Sequence, residues 1–210
     1  MKPEFIARQS RLPHGWIGEI VARVMAFETD PVNCWAVERL ALKPGEAVLE
    51  LGCGHGRTLK KILDQEVRLA AGTDPSEVMF RLAGRRLRRE IAQHRCELHL
   101  GEARQLPFGD KRFDAALAVH VVYFWTDPRA EFAEIQRVLR RGGRLLLGFR
   151  PRNEKTLRDL PPCAYTLRSI EEVTTLLLQT GFAEAQGELE QSGQTEMAWV
   201  IARVGEPVGS

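Results

Sequence analysis

The chain has 210 residues, 44% of them hydrophobic, enough for one domain with a real core. It carries 30 Lys and Arg against 28 Asp and Glu, a formal charge of +2 that argues neither for nor against an acidic partner. No apolar run reaches the roughly eighteen residues that a membrane-spanning helix needs, and the opening MKPEFIARQSRLPHG lacks the apolar centre of an export signal.

Taken in chain order, the first 45 residues hold two apolar, helix-periodic runs, GWIGEIVARVMAF and PVNCWAVERLAL. We read 1–45 as a helical extension, either a lid over the ligand edge or a layer on the outer face, and 46–205 as the main domain. EAVLEL, 46–51, is a buried strand. A helix over 57–65, a strand over 67–73, a long helix over 76–93 and a short strand over 96–100 follow. FDAALAV, 113–119, is the fourth strand. In DPRAEFAEIQRVLRRGG, Asp127 is the expected cap, Pro128 the first helical turn and Gly142 the stop. Phe132, Ile135, Val138 and Leu139 fall on one face of that helix. RLLLGF, 144–149, is the fifth strand, and 150–168 reads as a long loop bordering the site. A helix over 169–180 opens with Ser169 and has Glu172 three positions on, the pattern of a capping box. Strand-like runs near 182–189 and 195–204 complete the chain. Strands alternating with helices predict an α/β fold with a parallel sheet covered on both faces. Ligands of such sheets sit beyond the carboxyl ends of the strands.

The stretch VLELGCGHGRTL, 48–59, puts Gly52, Gly54 and Gly56 between the first strand and the next helix. Glycine takes positive φ and lets backbone approach a ligand with no Cβ in the way. The helix start beyond offers N–H groups to an anion. The loop therefore suits an adenosyl-type cofactor with an acidic end. The dinucleotide fingerprint GxGxxG is not met, because Arg57 stands where it wants glycine, and no GK[ST] of a P-loop follows.

ELGCGHG resembles the first motif of class I S-adenosylmethionine (SAM)-dependent methyltransferases. GTDPSEVM, GEARQLPFGDKRFDAALAVHVVYFW and EIQRVLRRGGRLLLGF resemble later segments of the family in the same order. The similarity covers roughly 32–150 and is closest to the small-molecule branch that includes the ubiquinone and menaquinone biosynthesis C-methyltransferases. It implies a Rossmann-like, doubly wound, seven-stranded sheet whose last strand is antiparallel. It also implies SAM as cofactor and a small, apolar or aromatic acceptor.

Matching motif positions imply the following roles. Gly52, Cys53, Gly54 and Gly56 pass beneath the methionine part of SAM, and Glu50 helps hold its amino end. Asp74, followed by Pro75, accepts both ribose hydroxyls, since an ionised acid only accepts; it is also a candidate cap for the next helix. Met79 lies against the adenine or in the core. Glu102 stands where the family has aspartate, so its contact with the adenine amino group is open, while the Ala103 N–H donates to the ring. Val119 and His120 end the fourth strand beside the transferring methyl. His120 is the candidate general base, against the alternative of a structural histidine. Tyr123 is a second catalytic candidate or an aromatic wall within VVYFW. His14 could reach the pocket, and Trp16, Phe27 and Trp35 read as core. Arg150, Arg152 and Tyr165 could meet an acidic acceptor or belong to a solvated connector.

HVVY stands where methylases of exocyclic DNA amines carry [ND]PP[YFW], which disfavours a nucleic-acid substrate. The arginines of RLAGRRLRREIAQHR are expected to be solvated. The four cysteines, Cys34, Cys53, Cys96 and Cys163, form no CxxC pair. Cys96 and His99 point to opposite faces of a strand. We therefore expect free thiols, no metal and a cytoplasmic location, in a monomer or homodimer. A nucleic-acid or protein methyltransferase, and a SAM-binding sensor or partner subunit without transferase activity, are the alternatives.

Overall fold

The computed structural model describes residues 29–162, 164–192 and 195–205, with Gly15 and Gly18. Apart from those two glycines the helix expected over 15–27 lies outside the described residues, as do His14, Trp16, Phe27 and Cys163.

The elements are α1 (Asp30–Leu40), β1 (Ala47–Leu51), α2 (Arg57–Leu63), β2 (Leu69–Asp74), α3 (Glu77–Arg86), α4 (Arg88–Ala92) and β3 (Cys96–Leu100). They continue with β4 (Phe113–Val119), a 3-10 turn (Val122–Phe124), α5 (Arg129–Val138) and β5 (Leu139–Phe149). The chain closes with α6 (Glu154–Asp159), α7 (Ile170–Gln179), β6 (Glu184–Ser192) and β7 (Thr195–Arg203). The sheet has seven strands in the order β3-β2-β1-β4-β5-β7-β6, and β7 runs antiparallel to both neighbours. This is the sheet the resemblance implies. Strand order reverses between β1 and β4, and ligands of open α/β sheets bind beyond the carboxyl ends of strands at such a point.

Two apolar layers hold the sheet. Val32, Ala36, Val37 and Leu40 of α1 join Leu59 and Ile62 of α2 on one face, and Trp35 packs on their margin. Phe132, Ile135 and Val138 of α5 join Val173 and Leu177 of α7 on the other. β1 alternates between them: Leu49 and Leu51 enter the α5 layer and Val48 the α2 layer. The Ser169 hydroxyl accepts from the Glu172 N–H at 3.2 Å, and Glu172 Oε2 accepts from the Ser169 N–H at 2.7 Å, so the capping box forms.

Several boundaries differ from expectation. The helix expected over 76–93 is two helices, with the fully buried Leu87 between them, close to Gly56. α5 ends at Val138, not Gly142; the chain turns directly into β5, which starts at Leu139 and meets β4 through a register shift between Phe113 and Ala115. Asp127 Oδ1 accepts from the Arg129 N–H at 3.3 Å, but Pro128 occupies the cap position. The expected loop 150–168 contains α6, whose cap Asn153 accepts from the Thr156 N–H at 2.8 Å. Among the described residues no helix is long and apolar enough to cross a membrane, and no group of three or more His, Cys, Asp or Glu is placed to hold a metal. Arg81, Arg85, Arg86, Arg88 and Arg89 are exposed, while Arg95 donates to the Leu63 carbonyl at 2.8 Å.

Candidate active site

The loop after β1 is shaped by positions that only glycine fills without strain. Gly52 has φ +68°, and a Cβ there would collide with Val121 Cγ1, just past the end of β4. Gly56, at φ +76°, would drive a Cβ to 2.9 Å from Leu87 Cδ1. The loop is fastened to the end of β2. The Gly52 and Cys53 N–H groups both donate to the Thr73 carbonyl, at 2.8 and 3.1 Å, and the Gly54 N–H donates to Asp74 Oδ2 at 2.9 Å. These N–H groups therefore serve the loop itself.

Two buried carboxyls stand behind this loop. Asp74 accepts from Gly54 through one oxygen and from the Ser76 N–H through the other, at 2.9 Å each. Burial raises its pKa, opposed by those two N–H groups. Ser76, not Asp74, caps α3 with its side chain, accepting from the Met79 N–H at 3.4 Å. Glu50 is 5% exposed, and its Oε2 has no hydrogen-bond partner among the described residues. Burial pushes its pKa well above the usual carboxyl range, and Asp74 adds to the rise, while the Thr58 hydroxyl and the Leu59 N–H pull it down. The first turn of α2, expected to face an external anion, is thus addressed from inside by Glu50. The Cys53 thiol is raised by its burial and by both carboxyls.

The adenine-side candidates diverge. Met79 is buried, with its sulfur 3.9 Å from where a Cβ on Gly54 would lie. Pro75 is exposed. Ala103 is buried, whereas Glu102 turns outward and pairs with Arg104 at 2.6 Å. The loop also holds a residue that its motif did not single out. His55 Nδ1 accepts from the Arg57 N–H at 3.3 Å, and burial, then Arg86 and Arg57, lower its pKa to about 4.

Beyond β4 the chain places two candidates together. His120 has φ +58°, rare for a non-glycine residue, and its N–H donates to the Gly148 carbonyl at 2.8 Å. Its Nδ1 lies 2.6 Å from the Tyr123 hydroxyl, which accepts the Arg150 N–H at 3.1 Å. Tyr123 is 4% exposed, and burial raises its pKa, so it stays a phenol. Val119 packs at the margin of the α2 layer. Tyr165 stands edge-on to Tyr123 at 5.8 Å, and Trp125 edge-on to Phe132 at the same separation. The charged ends of Arg150 and Arg152 are engaged within the chain, by Asp159 at 2.6 Å and Glu172 at 2.9 Å.

Arg168 carries no motif and was not expected at the site. Its buried guanidinium donates to the carbonyls of Val122, Trp125, Thr126 and Thr166, between 2.7 and 3.3 Å. It thereby ties the Tyr123 turn to the segment before α7. Burial lowers its pKa, and Glu172, Asp127 and Glu131 offset part of the cost.

Residues 49–147 match the methyltransferase domain family. The uncharacterized methyltransferase YdaC of Bacillus subtilis is 28% identical over 134 residues, 63% of this chain and 72% of YdaC. The O-methyltransferase cnsE of Penicillium expansum is 28% identical over 151 residues, 69% of this chain and 54% of that protein. The chain spans about half the length of several curated relatives it matches. Among solved structures, phosphoethanolamine N-methyltransferase 2 of Haemonchus contortus, in complex with phosphomonomethylethanolamine and S-adenosylhomocysteine, superposes with a TM-score of 0.76 at 15% identity. The superposition covers 90% of this chain and 58% of that one and speaks to fold alone.

Proposed function

From a chain whose residues 49–147 form a class I, SAM-dependent type of methyltransferase domain, we propose an enzyme that moves the methyl group of SAM to a small, apolar or aromatic acceptor. The observation that carries the cofactor half is Glu50. A buried carboxyl beneath a glycine loop, with one oxygen lacking a hydrogen-bond partner among the described residues, is costly and is relieved by a cation, and SAM brings an ammonium and a sulfonium. In this reading Gly52, Cys53, Gly54 and Gly56 form the floor under the methionine part. Asp74 uses its remaining lone pairs for the ribose hydroxyls, with Pro75 at the rim. Met79 and Ala103 flank the adenine, and Glu102 reaches the adenine amino group only by leaving Arg104.

SAM supplies a methyl already activated on a sulfonium sulfur. The protein then has to hold the acceptor in line and keep water out, which is catalysis by positioning. Val119, His120 and the aromatic turn 123–125 supply that wall. Relatives named O-, N- and C-methyltransferases put oxygen, nitrogen and carbon nucleophiles alike in the acceptor panel. Calorimetry should detect binding of SAM and of S-adenosylhomocysteine, and Asp74→Ala should weaken it more than tenfold. Unchanged affinity in that variant would reject the ribose assignment. S-adenosylhomocysteine formation across a panel of small phenols, carboxylic acids and amines tests transfer, and binding of SAM with no turnover of any member would favour a sensor.

A further inference from the structure

Arg150 follows β5 directly, and its backbone N–H donates to the Tyr123 hydroxyl at 3.1 Å. Its guanidinium is only half engaged. Nη2 donates at 2.6 Å to Oδ2 of Asp159, the last residue of α6, whereas Nε is buried and has no hydrogen-bond partner among the described residues. Nε and Nη2 lie along one edge of the planar group, the edge that takes both oxygens of a carboxylate at once. Asp159 engages that edge through a single oxygen. The two partners also differ in burial: the Arg150 side chain is 17% exposed and that of Asp159 47%. The cation is held inside, with a donor that is costly to leave unmade, while its anion reaches in from the surface. Arg152 shows the ordinary case, a half-exposed arginine paired in solvent with Glu172 at 2.9 Å.

We propose that Arg150 determines specificity by binding a carboxylate of the acceptor along its Nε–Nη2 edge, with Asp159 as the internal carboxylate that the acceptor displaces. The proposal rests on the methyltransferase reading and narrows its acceptor to an apolar or aromatic acid. The exchange is balanced in charge. One carboxylate replaces another, so the guanidinium is never left alone in the interior, and Asp159 has solvent to move into. The incoming group gains what Asp159 does not provide, a second hydrogen bond at Nε. A neutral acceptor has no such route, because removing Asp159 without supplying an anion leaves a buried cation unpaired. A surface for the body of the acid lies on the Tyr123 side of the arginine. Tyr123, Phe124 and Tyr165 cluster there with ring centroids 5.4–5.9 Å apart, and of the three Phe124 is still partly exposed.

In protein labelled with 15N at arginine, the Nε–H resonance of Arg150 reads occupancy of this edge with neither cofactor nor turnover, and its loss in Arg150→Lys identifies it. Sodium benzoate should shift that resonance, and benzamide, a neutral molecule of the same shape, should leave it in place. Asp159→Asn removes the competing anion and should tighten benzoate binding several-fold. A resonance unmoved across the benzoate titration, an equal response to benzamide, or benzoate affinity no better in Asp159→Asn would overturn the proposal. Turnover separates this result from the wider reading. With SAM and matched pairs of acids and their amides, S-adenosylhomocysteine should form from the acids. Arg150→Lys keeps the charge but not the fork, and should raise KM for the acid about tenfold at an unaltered calorimetric Kd for SAM. Turnover of amides as fast as acids would also overturn the proposal, whereas a shifted resonance with no turnover of any member would count against the transferase reading and leave the carboxylate site standing.

Discussion

Replacing Glu50 with glutamine tests whether the floor of the glycine loop holds a neutral acid. Burial raises this carboxyl above its ordinary value of 4.5, and Asp74 adds to the rise. For an acid whose pKa is higher folded than unfolded, the folded state keeps its proton while the unfolded state has lost it. Stability is then fully present below about pH 4.5 and is lost as pH climbs towards the folded pKa. Within that window each pH unit removes about 1.4 kcal/mol, which for a domain of this size lowers Tm by roughly 3–5 °C. Glutamine matches the protonated acid in shape and cannot ionise. Its amide nitrogen takes the place of an oxygen that already lacks a partner, so parity at pH 4 is expected. Without ligand, Glu50→Gln should become more stable than wild type as pH rises from 5 to 8, while its affinity for SAM falls. Part of the wild-type slope will survive in the variant, because Asp74 is also raised. Thermal unfolding followed by circular dichroism at intervals of half a pH unit reads the difference. Parallel curves for the two proteins across that range would show that Glu50 is not held neutral.

Gly72 pairs with Glu50 in the β1–β2 register, and a Cβ there would come to 2.5 Å from Leu59 Cδ1 and 2.8 Å from Cys53 Sγ. Gly72→Ala should therefore cost about 1–3 kcal/mol in a urea titration and also weaken SAM binding, because Cys53 belongs to the glycine loop. Arg168→Met leaves the carbonyls of Val122, Trp125 and Thr126 without their donor. Steady-state assays with the best acceptor found should show a larger rise in KM for acceptor than in the calorimetric Kd for SAM; equal changes would place the effect on the whole domain. His55, with a folded pKa of about 4, loses its stabilising contribution as pH falls from 6.5 towards that value, because the unfolded imidazole protonates first. His55→Asn should flatten the acid side of the Tm profile, and an unchanged profile would contradict the buried, neutral histidine.

The order of elements was legible because each announces itself locally. EAVLEL and FDAALAV are predominantly apolar, as strands covered on both faces must be, with Glu50 and Asp114 among the buried exceptions. Ser169 and Glu172 at capping-box spacing mark a helix start without help from the rest of the chain. The misplaced boundaries lie where tertiary contacts overrule local preference. The 76–93 segment reads as one helix, and its division at the buried Leu87 has no local mark in the sequence. Gly142 looks like a helix stop, yet it lies inside β5, where its positive φ serves the irregular pairing with β4. α6 is short and Pro-flanked, and its one local signal is the Asn153 cap.

The site divides along the same line. Glycine spacing is a statement about backbone, so the sequence can carry it; the use of each hydrogen bond is a statement about neighbours distant in the chain, so it cannot. Gly54 and Asp74 are twenty residues apart and share a bond of 2.9 Å that turns the expected ribose ligand into a strut of the loop as well. Arg168 is 46 residues from Val122, and nothing near it in sequence separates it from the solvated arginines of α3. The case of His120 goes further. Read alone, an imidazole at the end of β4 invites the role of base. Set beside Tyr123, whose oxygen already holds the Arg150 N–H, the same imidazole is one end of a buried hydrogen-bond chain that runs to the start of the 150–168 segment. How that ring is held therefore depends on a buried phenol three residues away, a partner that no pattern of residue types announces.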